Sequence, residues 1–236
     1  MLKMKNLNCS YGECQILHDT SLEVRDKELV GLIGRNGVGK TTTLKSIMGL
    51  VPPRSGSVHF LDINLCDLPA YAIPRMGIAY MPQGRHLFPK LTVMENLRIP
   101  VIKGELDKQI LEEIFVYFPR LKERLKQKAG TLSGGEQQML AVGRALITNP
   151  KLILMDEPME GLMPLLVKLI AETVKVINQK GTTILLVEQN LKTIKNVCQG
   201  IYIMEKGSIV YQGTPSKLEG AIDIQERYLS VTVYIC

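Results

Sequence analysis

Residues 34–41 read Gly-Arg-Asn-Gly-Val-Gly-Lys-Thr and fit the pattern G-x-x-x-x-G-K-[ST], which constrains the fold more than any other feature. The preceding segment, Glu28–Ile33, is apolar at consecutive positions, as in a strand buried on both faces. A helical stretch, Lys40–Gly49, follows and ends before two prolines. A loop in this setting turns its backbone N–H groups toward an anion at a helix N-terminus. The sequence therefore predicts a phosphate site inside a parallel α/β sheet.

The residues of this loop are expected to contact different parts of a bound nucleotide. Its three glycines allow the backbone to turn, and Lys40 supplies a positive charge for the β- and γ-phosphates. The hydroxyl of Thr41 can ligate Mg²⁺, and that of Thr42 can donate a hydrogen bond to a phosphate. The candidate binding residues are Gly34, Arg35, Asn36, Gly37, Val38, Gly39, Lys40, Thr41 and Thr42.

Strands and helices alternate on both sides of a helical segment. Beyond the phosphate loop, the strands that we predict are Leu2–Cys9, Val58–Phe60, Ile78–Met81, Leu152–Met155, Thr183–Val187 and Ile201–Met204. Between them, residues 83–149 read mainly as helices, of which one begins with a capping box formed by Thr92 and Glu95. We therefore expect a single domain over residues 1–236, with a core from 1–82 and 150–236 and a helical subdomain from 83–149. The apolar tail Tyr228–Cys236 is an edge strand, a dimer contact or a segment foreign to the fold.

Two adjacent carboxylates follow the predicted strand Leu152–Met155. Ligands of parallel sheets bind at the carboxyl ends of the strands, so Asp156 and Glu157 should lie beside the phosphate loop. Because successive strand residues face opposite ways, the two should act differently. We expect Asp156 to hold Mg²⁺ through water and Glu157 to orient or deprotonate a water that attacks the γ-phosphate. On its own, the pair would also fit a solvated acidic turn.

A second candidate phosphate site lies at residues 133–136. Ser133 can cap a helix, and Gly134 and Gly135 leave backbone amides uncovered by side chains. A capping box between Ser133 and Glu136 is the alternative interpretation of the same residues.

Composition excludes several other classes of protein. Apolar residues make up 45% of the chain, too many for a disordered protein, and Trp is absent, which disfavours a stacking platform for single-stranded nucleic acid. The five cysteines and three histidines are scattered, so we expect neither a disulfide framework nor a zinc site. The longest stretch without Asp, Glu, Lys or Arg has ten residues, and the N-terminus has no signal-peptide pattern. The net charge of +6 permits an anionic partner without identifying one.

Taken together, these segments resemble the ATPase subunit of ABC transporters. GRNGVGKTT corresponds to the phosphate loop of that family, LSGGEQ to its signature segment and LILMDE to its acidic strand. The resemblance implies a P-loop NTPase (RecA-like) core with an N-terminal antiparallel β subdomain and an inserted helical subdomain. It also implies ATP and Mg²⁺ as cofactors. Gln83 would sense the γ-phosphate or Mg²⁺, and Tyr11 would stack on adenine.

Three features narrow the resemblance to one branch of the family. The acidic strand continues as EPMEGLMP, Gln189 stands where a switch histidine is usual, and the helical segment contains FPRLKER. All three resemble the ATPases of branched-chain amino acid uptake and their relatives in urea or short-amide uptake. Gln189 would contact the γ-phosphate or position water, but a glutamine cannot carry a proton as histidine can.

The resemblance also implies partners. Two such subunits would close head to tail, with each ATP held between one phosphate loop and the other subunit's Ser133, Gly134, Gly135 and Glu136. We expect two membrane-spanning permeases, a sister ATPase and an external substrate-binding protein. We expect no nucleic acid partner, and a homodimer is possible in isolation. The chain would lie peripherally on the cytoplasmic face of the membrane. The rival hypotheses are a soluble ABC ATPase acting in DNA repair or translation, and a regulatory module that binds nucleotide without turnover.

Overall fold

The computed structural model describes residues 1–101 and 104–229, which fold into two sheets and surrounding helices. The strands are β1 (Leu2–Tyr11), β2 (Cys14–Val24), β3 (Leu29–Ile33), β4 (Ser55–Phe60), β5 (Ile63–Asn64), β6 (Ile78–Met81), β7 (Leu152–Asp156), β8 (Thr183–Glu188), β9 (Gly200–Glu205) and β10 (Ser208–Gly213). The α-helices are α1 (Lys40–Ile47), α2 (Val93–Arg98), α3 (Lys108–Tyr117), α4 (Pro119–Glu123), α5 (Gly134–Leu146), α6 (Pro164–Gln179), α7 (Leu191–Val197), α8 (Pro215–Glu219) and α9 (Ile222–Leu229).

The larger sheet has the strand order β10-β9-β3-β8-β7-β6, and only its edge strand β10 is antiparallel to its neighbour. Every residue of β3, β7 and β8 is buried, which explains why these strands are apolar at almost every position. β8 lies between the strand that enters the phosphate loop and the strand that ends in Asp156. The carboxyl ends of the three central strands therefore bring both predicted motifs to one edge of the sheet.

The smaller sheet is antiparallel, with the order β2-β1-β4-β5, and confirms the predicted N-terminal β subdomain. Its strands are partly exposed, and buried positions alternate with exposed ones over parts of β1 and β2. One face of this sheet packs on the larger sheet, and the other faces solvent.

Apolar clusters cover both faces of the larger sheet. Leu152 and Leu154 of β7 point into a cluster shared with α1 and the antiparallel sheet, whereas Ile153 and Met155 point into a cluster shared with α5, α6 and α7. This alternation along one strand is what a sheet buried on both faces requires. The sheet is thus the rigid support from which the loops of the site project.

Helices α2–α5 all lie between β6 and β7, within the predicted range 83–149. Thr92 and Glu95 form the expected capping box at α2. Phe118 and Leu121 of FPRLKER are fully buried and anchor α3 and α4 against α5. No helix of the described ranges is both long enough and apolar enough to span a membrane. Tyr228 lies in α9, and residues 230–236 of the predicted tail lie outside the described residues.

Candidate active site

The phosphate loop joins β3 to α1 and is shaped by one close backbone approach, at Gly34, and by one positive φ, at Gly39. A Cβ on Gly34 would overlap the carbonyl oxygen of Met204, so only glycine fits there. Gly39 has a φ of +111° and caps α1 without a side-chain hydrogen bond. The first turn of α1 itself holds no acidic residue, so no carboxylate of the same helix competes for its N–H groups and its dipole.

Lys40 is buried, and its ammonium group is hydrogen-bonded to the backbone of the phosphate loop. Its Nζ donates hydrogen bonds to the carbonyl oxygens of Gly34, at 2.8 Å, and Arg35, at 3.0 Å. The same Nζ lies 3.3 Å from Oε1 of Glu157, in an ion pair whose side chains are both nearly inaccessible to solvent. The positive charge of the loop thus lies directly beside the candidate base.

Asp156 ends β7 and accepts two hydrogen bonds from hydroxyl groups. Its Oδ1 accepts from the Thr41 hydroxyl at 3.2 Å, and its Oδ2 accepts from the Tyr80 hydroxyl at 3.4 Å. Burial raises the pKa of Asp156, and the nearby Glu157 raises it further, while the hydrogen bond from Thr41 acts in the opposite direction. A hydroxyl and a carboxylate oxygen so close together are the hard ligands that Mg²⁺ prefers.

The described residues contain no cluster of three or more His, Cys, Asp or Glu side chains able to hold a metal ion.

Glu157 has different partners from Asp156. Its Oε2 accepts hydrogen bonds from Nε2 of Gln189, at 2.7 Å, and Nε2 of Gln83, at 3.3 Å, while its Oε1 pairs with Lys40. Glu157 also has a φ of +50°, a left-handed conformation uncommon for residues other than glycine. The carboxylate is therefore aimed by an unusual backbone turn and three side-chain donors.

Gln83 lies just beyond β6 and points toward the acidic side of the site. In addition to Glu157, its Nε2 donates to Oε2 of Glu160 at 2.8 Å. Of the three predicted Mg²⁺ ligands, Thr41 and Asp156 form one pair, whereas the structure groups the third, Gln83, with the candidate base. Tyr11 is about half exposed and ends β1. Two residues earlier in the same strand, Cys9 is the β-sheet partner of Leu17, whose side chain lies close to Gly39 of the phosphate loop.

The signature segment begins α5 with the capping box that the sequence left as an alternative. The Ser133 side chain accepts the N–H of Glu136 at 3.3 Å, and Oε2 of Glu136 accepts the N–H of Ser133 at 2.9 Å. Oε1 of Glu136 also pairs with Arg124 of the helical subdomain at 2.8 Å. Ser133 and Gly134 remain exposed, so the start of the helix is accessible from outside the chain. A phosphate contact here stays a prediction.

Sequence reasoning missed three residues at this edge of the sheet. Tyr80 donates to Asp156, and Arg85 donates to the side chains of Gln137 and Gln138 in α5. Glu188, the last residue of β8, is a buried carboxylate beside Glu157. Its sequence signal was available, because a charged residue that ends an apolar strand is the same pattern that identified Asp156.

Burial raises the pKa of Glu188 to about 7 against the opposing effect of two backbone hydrogen bonds, and the charges of Glu157 and Glu160 add to the rise. The neighbouring thiol of Cys198 is also buried, and its pKa is raised by that burial and by Glu188.

Comparison with known proteins agrees with this geometry. A family model described as ABC transporter matches residues 17–160. The high-affinity branched-chain amino acid transport ATP-binding protein BraG of Pseudomonas aeruginosa is 42% identical over 97% of this chain and 99% of its own length. The probable branched-chain amino acid transport ATP-binding protein LivF of Archaeoglobus fulgidus is 37% identical over 92% of this chain and 94% of its own.

Two further comparisons bear on function and assembly. The lipopolysaccharide export system ATP-binding protein LptB of Escherichia coli K12 is 34% identical over 97% of this chain and 96% of its own. Among solved structures, the dimeric ATP-binding cassette MJ0796 in a post-hydrolysis state with ADP and Pi has a TM-score of 0.83 and 28% identity, over 91% of this chain and 99% of its own.

Proposed function

Since the chain belongs to the ABC transporter family and is an ATP-hydrolysing subunit of that family, we propose that it powers the uptake of branched-chain amino acids. The observation that carries this proposal is the similarity to BraG, which extends over almost the whole of both chains. Gln189 and the EPMEGLMP segment, which resemble that branch, support the same assignment.

We assign ATP binding to the phosphate loop and to Tyr11. The backbone N–H groups of residues 34–39 and the uncapped start of α1 would surround the β- and γ-phosphates, and Lys40 would contribute its charge. Thr41 and Asp156 would hold Mg²⁺, which supplies charge neutralisation for the phosphates when bound. Tyr11, exposed on the neighbouring sheet, would stack on the adenine ring.

We assign hydrolysis to Glu157. Its carboxylate would accept a proton from the attacking water, while Lys40 stabilises negative charge on the phosphate. Gln189 and Gln83 already donate to Glu157, so each can orient this carboxylate or the water beside it. A glutamine amide cannot take up the proton, which leaves Glu157 as the only one of these groups suited to act as base.

We propose that two subunits share each nucleotide. No hydrogen bond or ion pair within the described chain joins residues 133–136 to residues 34–42, and the exposed start of α5 is free to meet a phosphate bound on a second subunit. Two helix N-termini facing one γ-phosphate neutralise its charge only when the dimer is closed. The dimeric MJ0796 structure supports this arrangement, and Gln189 favours a sister ATPase as the partner in the working unit.

A groove between the core and helices α3 and α5 suits a permease. The cavity measures about 760 Å³, and its lining includes the basic residues Arg75, Arg85 and Arg144 and the acidic residues Glu105 and Asp107. Arg85 is two residues from Gln83, which donates to Glu157, and Arg85 itself donates to α5. A partner that displaces Arg85 in this groove would therefore act on both the candidate base and the signature segment. We propose that residues 83–149 act as the subdomain that docks on the membrane partner, at the cytoplasmic face.

The test is reconstitution in lipid vesicles with two permeases, a sister ATPase and an external binding protein. We expect leucine-loaded binding protein to stimulate phosphate release and leucine uptake. Lys40→Ala should weaken ATP binding, and Glu157→Gln should retain ATP binding but stop hydrolysis. Phosphate release at the parent rate by Glu157→Gln would overturn the assignment of the base.

The same assembly tests the sister subunit. The chain alone should hydrolyse ATP slowly, and the sister should accelerate it. A homodimer as active as the pair, without stimulation by Gln189→His, would refute the heterodimer and leave the ATPase assignment intact.

The similarity to LptB favours a second candidate, an ATPase of lipid export. Stimulation of hydrolysis by a lipopolysaccharide, with none by leucine-loaded binding protein, would favour it. A urea or short amide as the stimulating substrate would instead identify the related uptake branch. Failure to co-sediment with vesicles that contain any permease would point to a soluble ABC ATPase.

A further inference from the structure

Glu188 occupies a position from which it can hold two segments of the site. It ends β8, the strand between β3 and β7, and its side chain is only 4% exposed. Its Oε1 accepts the backbone N–H of Met159 at 3.0 Å, and its Oε2 accepts the backbone N–H of Gln189 at 3.3 Å. One buried carboxylate thus joins the turn after β7 to the segment after β8.

The turn after β7 needs such support. It starts at Glu157, whose left-handed φ of +50° persists in a non-glycine residue only where the surroundings enforce it. Two hydrogen bonds tie this turn to β8: the N–H of Glu157 donates to the carbonyl oxygen of Val187 at 3.0 Å, and the N–H of Met159 donates to Glu188. The second bond fixes the turn on the far side of Glu157, two residues further on.

We propose that Glu188 is a positioning residue for ATP hydrolysis, which holds Glu157 and Gln189 in the relative orientation that the reaction needs. This inference rests on the proposed role of Glu157 as base. Among the described residues, no side-chain hydrogen bond or ion pair joins Glu188 to the phosphate loop. It acts through the Met159 turn on one side and the Gln189 backbone on the other. A carboxylate accepts both N–H groups at once, whereas a glutamine has one acceptor oxygen and turns an NH₂ group toward the other donor.

The experiment compares Glu188→Gln with Glu28→Gln as a matched control in the purified full chain. Glu28 also accepts a backbone N–H, that of Arg25 at 2.9 Å, but it precedes β3 at the opposite end of the sheet. For Glu188→Gln we expect kcat to fall by about tenfold to a hundredfold, because small displacements of a reacting group are costly, with KM for ATP changed by less than about twofold. Glu28→Gln should leave both constants at the parent values.

Three outcomes would overturn the proposal: a kcat of Glu188→Gln within about twofold of the parent, a parallel loss in kcat and ATP affinity, or an equal loss in the Glu28→Gln control. If Glu188→Gln does not fold, Glu188→Asp decides. Its shorter side chain keeps the carboxylate but cannot reach both donors, so the same selective loss in kcat is expected. Glu157→Gln is measured alongside. If Glu157→Gln remains active, the assignment of the base has failed; if it is inactive while Glu188→Gln is normal, only the present inference has failed.

Discussion

The ion pair between Lys40 and Glu157 allows a quantitative prediction about stability. The side chains are 4% and 5% exposed, and the charged atoms lie 3.3 Å apart. At an effective dielectric constant of about 20, Coulomb's law gives a gross attraction of about 5 kcal/mol. Much of this is offset because both charges leave water, so we expect a net coupling free energy of about 2–3 kcal/mol in a double-mutant cycle.

The two single substitutions should not cost the same. Lys40→Met leaves the Glu157 carboxylate buried with only amide donors, and should lower the free energy of unfolding by about 3 kcal/mol. Glu157→Gln leaves the Lys40 ammonium bonded to two carbonyl oxygens, and should cost about 1–2 kcal/mol. The double variant should lose less than the sum of the two because neither charge is then left unpaired.

Urea unfolding of the parent, both single variants and the double variant, all prepared without nucleotide, measures the coupling. The control is the ion pair between Lys122 and Glu112, which is shorter, at 2.6 Å, but has side chains that are 55% and 61% exposed. Its coupling should stay below about 1 kcal/mol because water screens exposed charges. Additive losses for Lys40 and Glu157, or a coupling no larger than that of the exposed pair, would refute the reasoning.

Two further predictions concern stability. Because burial raises the pKa of Glu188 from 4.5 to about 7, the folded state binds more protons than the unfolded state between these values. The contribution of this group is therefore fully present below about pH 4.5 and lost as the pH rises toward 7. As the pH rises from 4.5 to 7, the melting temperature of the parent should therefore fall relative to that of Glu188→Gln, and a constant difference between the two would contradict the prediction. Gly207→Ala should lower the free energy of unfolding by more than about 2 kcal/mol. The new Cβ would overlap the carbonyl oxygen of Ile16, and the residue would also have to keep a φ of +78°. Gly12→Ala is the control: its φ is +56° but its Cβ would meet nothing within 4 Å, so an equal loss in both variants would show that backbone strain alone is responsible.

Most of the central sheet could be predicted because its strands are buried on both faces. Residues 29–33, 152–156 and 183–188 are short apolar runs bounded by turns, and such runs are hard to place anywhere else. The motifs that follow two of them fixed the edge of the sheet at which the site lies.

The strands that the sequence analysis missed are those at the sheet edges. β2 carries exposed polar residues on one face, and β10 is only partly buried, so neither has the apolar pattern of a central strand. Tyr80 was missed for a different reason, because its role depends on a contact with Asp156 in a distant segment, which a linear pattern does not contain. Glu188 ends an apolar strand with a charge, as Asp156 does, so its place at the site could have been predicted, although its bond to the Met159 backbone could not.

The position of β8 has a consequence for how the chain folds during synthesis. β3 and β7 are made first, but they pair with β8 on its two sides and not with each other. A ribosome that has just released β7 has produced both the phosphate loop and the acidic strand without the strand that joins them. The two apolar strands β3 and β7 therefore lack their common pairing partner until residues 183–188 have been synthesised, which delays the assembly of the central sheet. A fragment that stops at residue 160, where the family match ends, would carry both motifs and still lack the central strand that assembles them into one site.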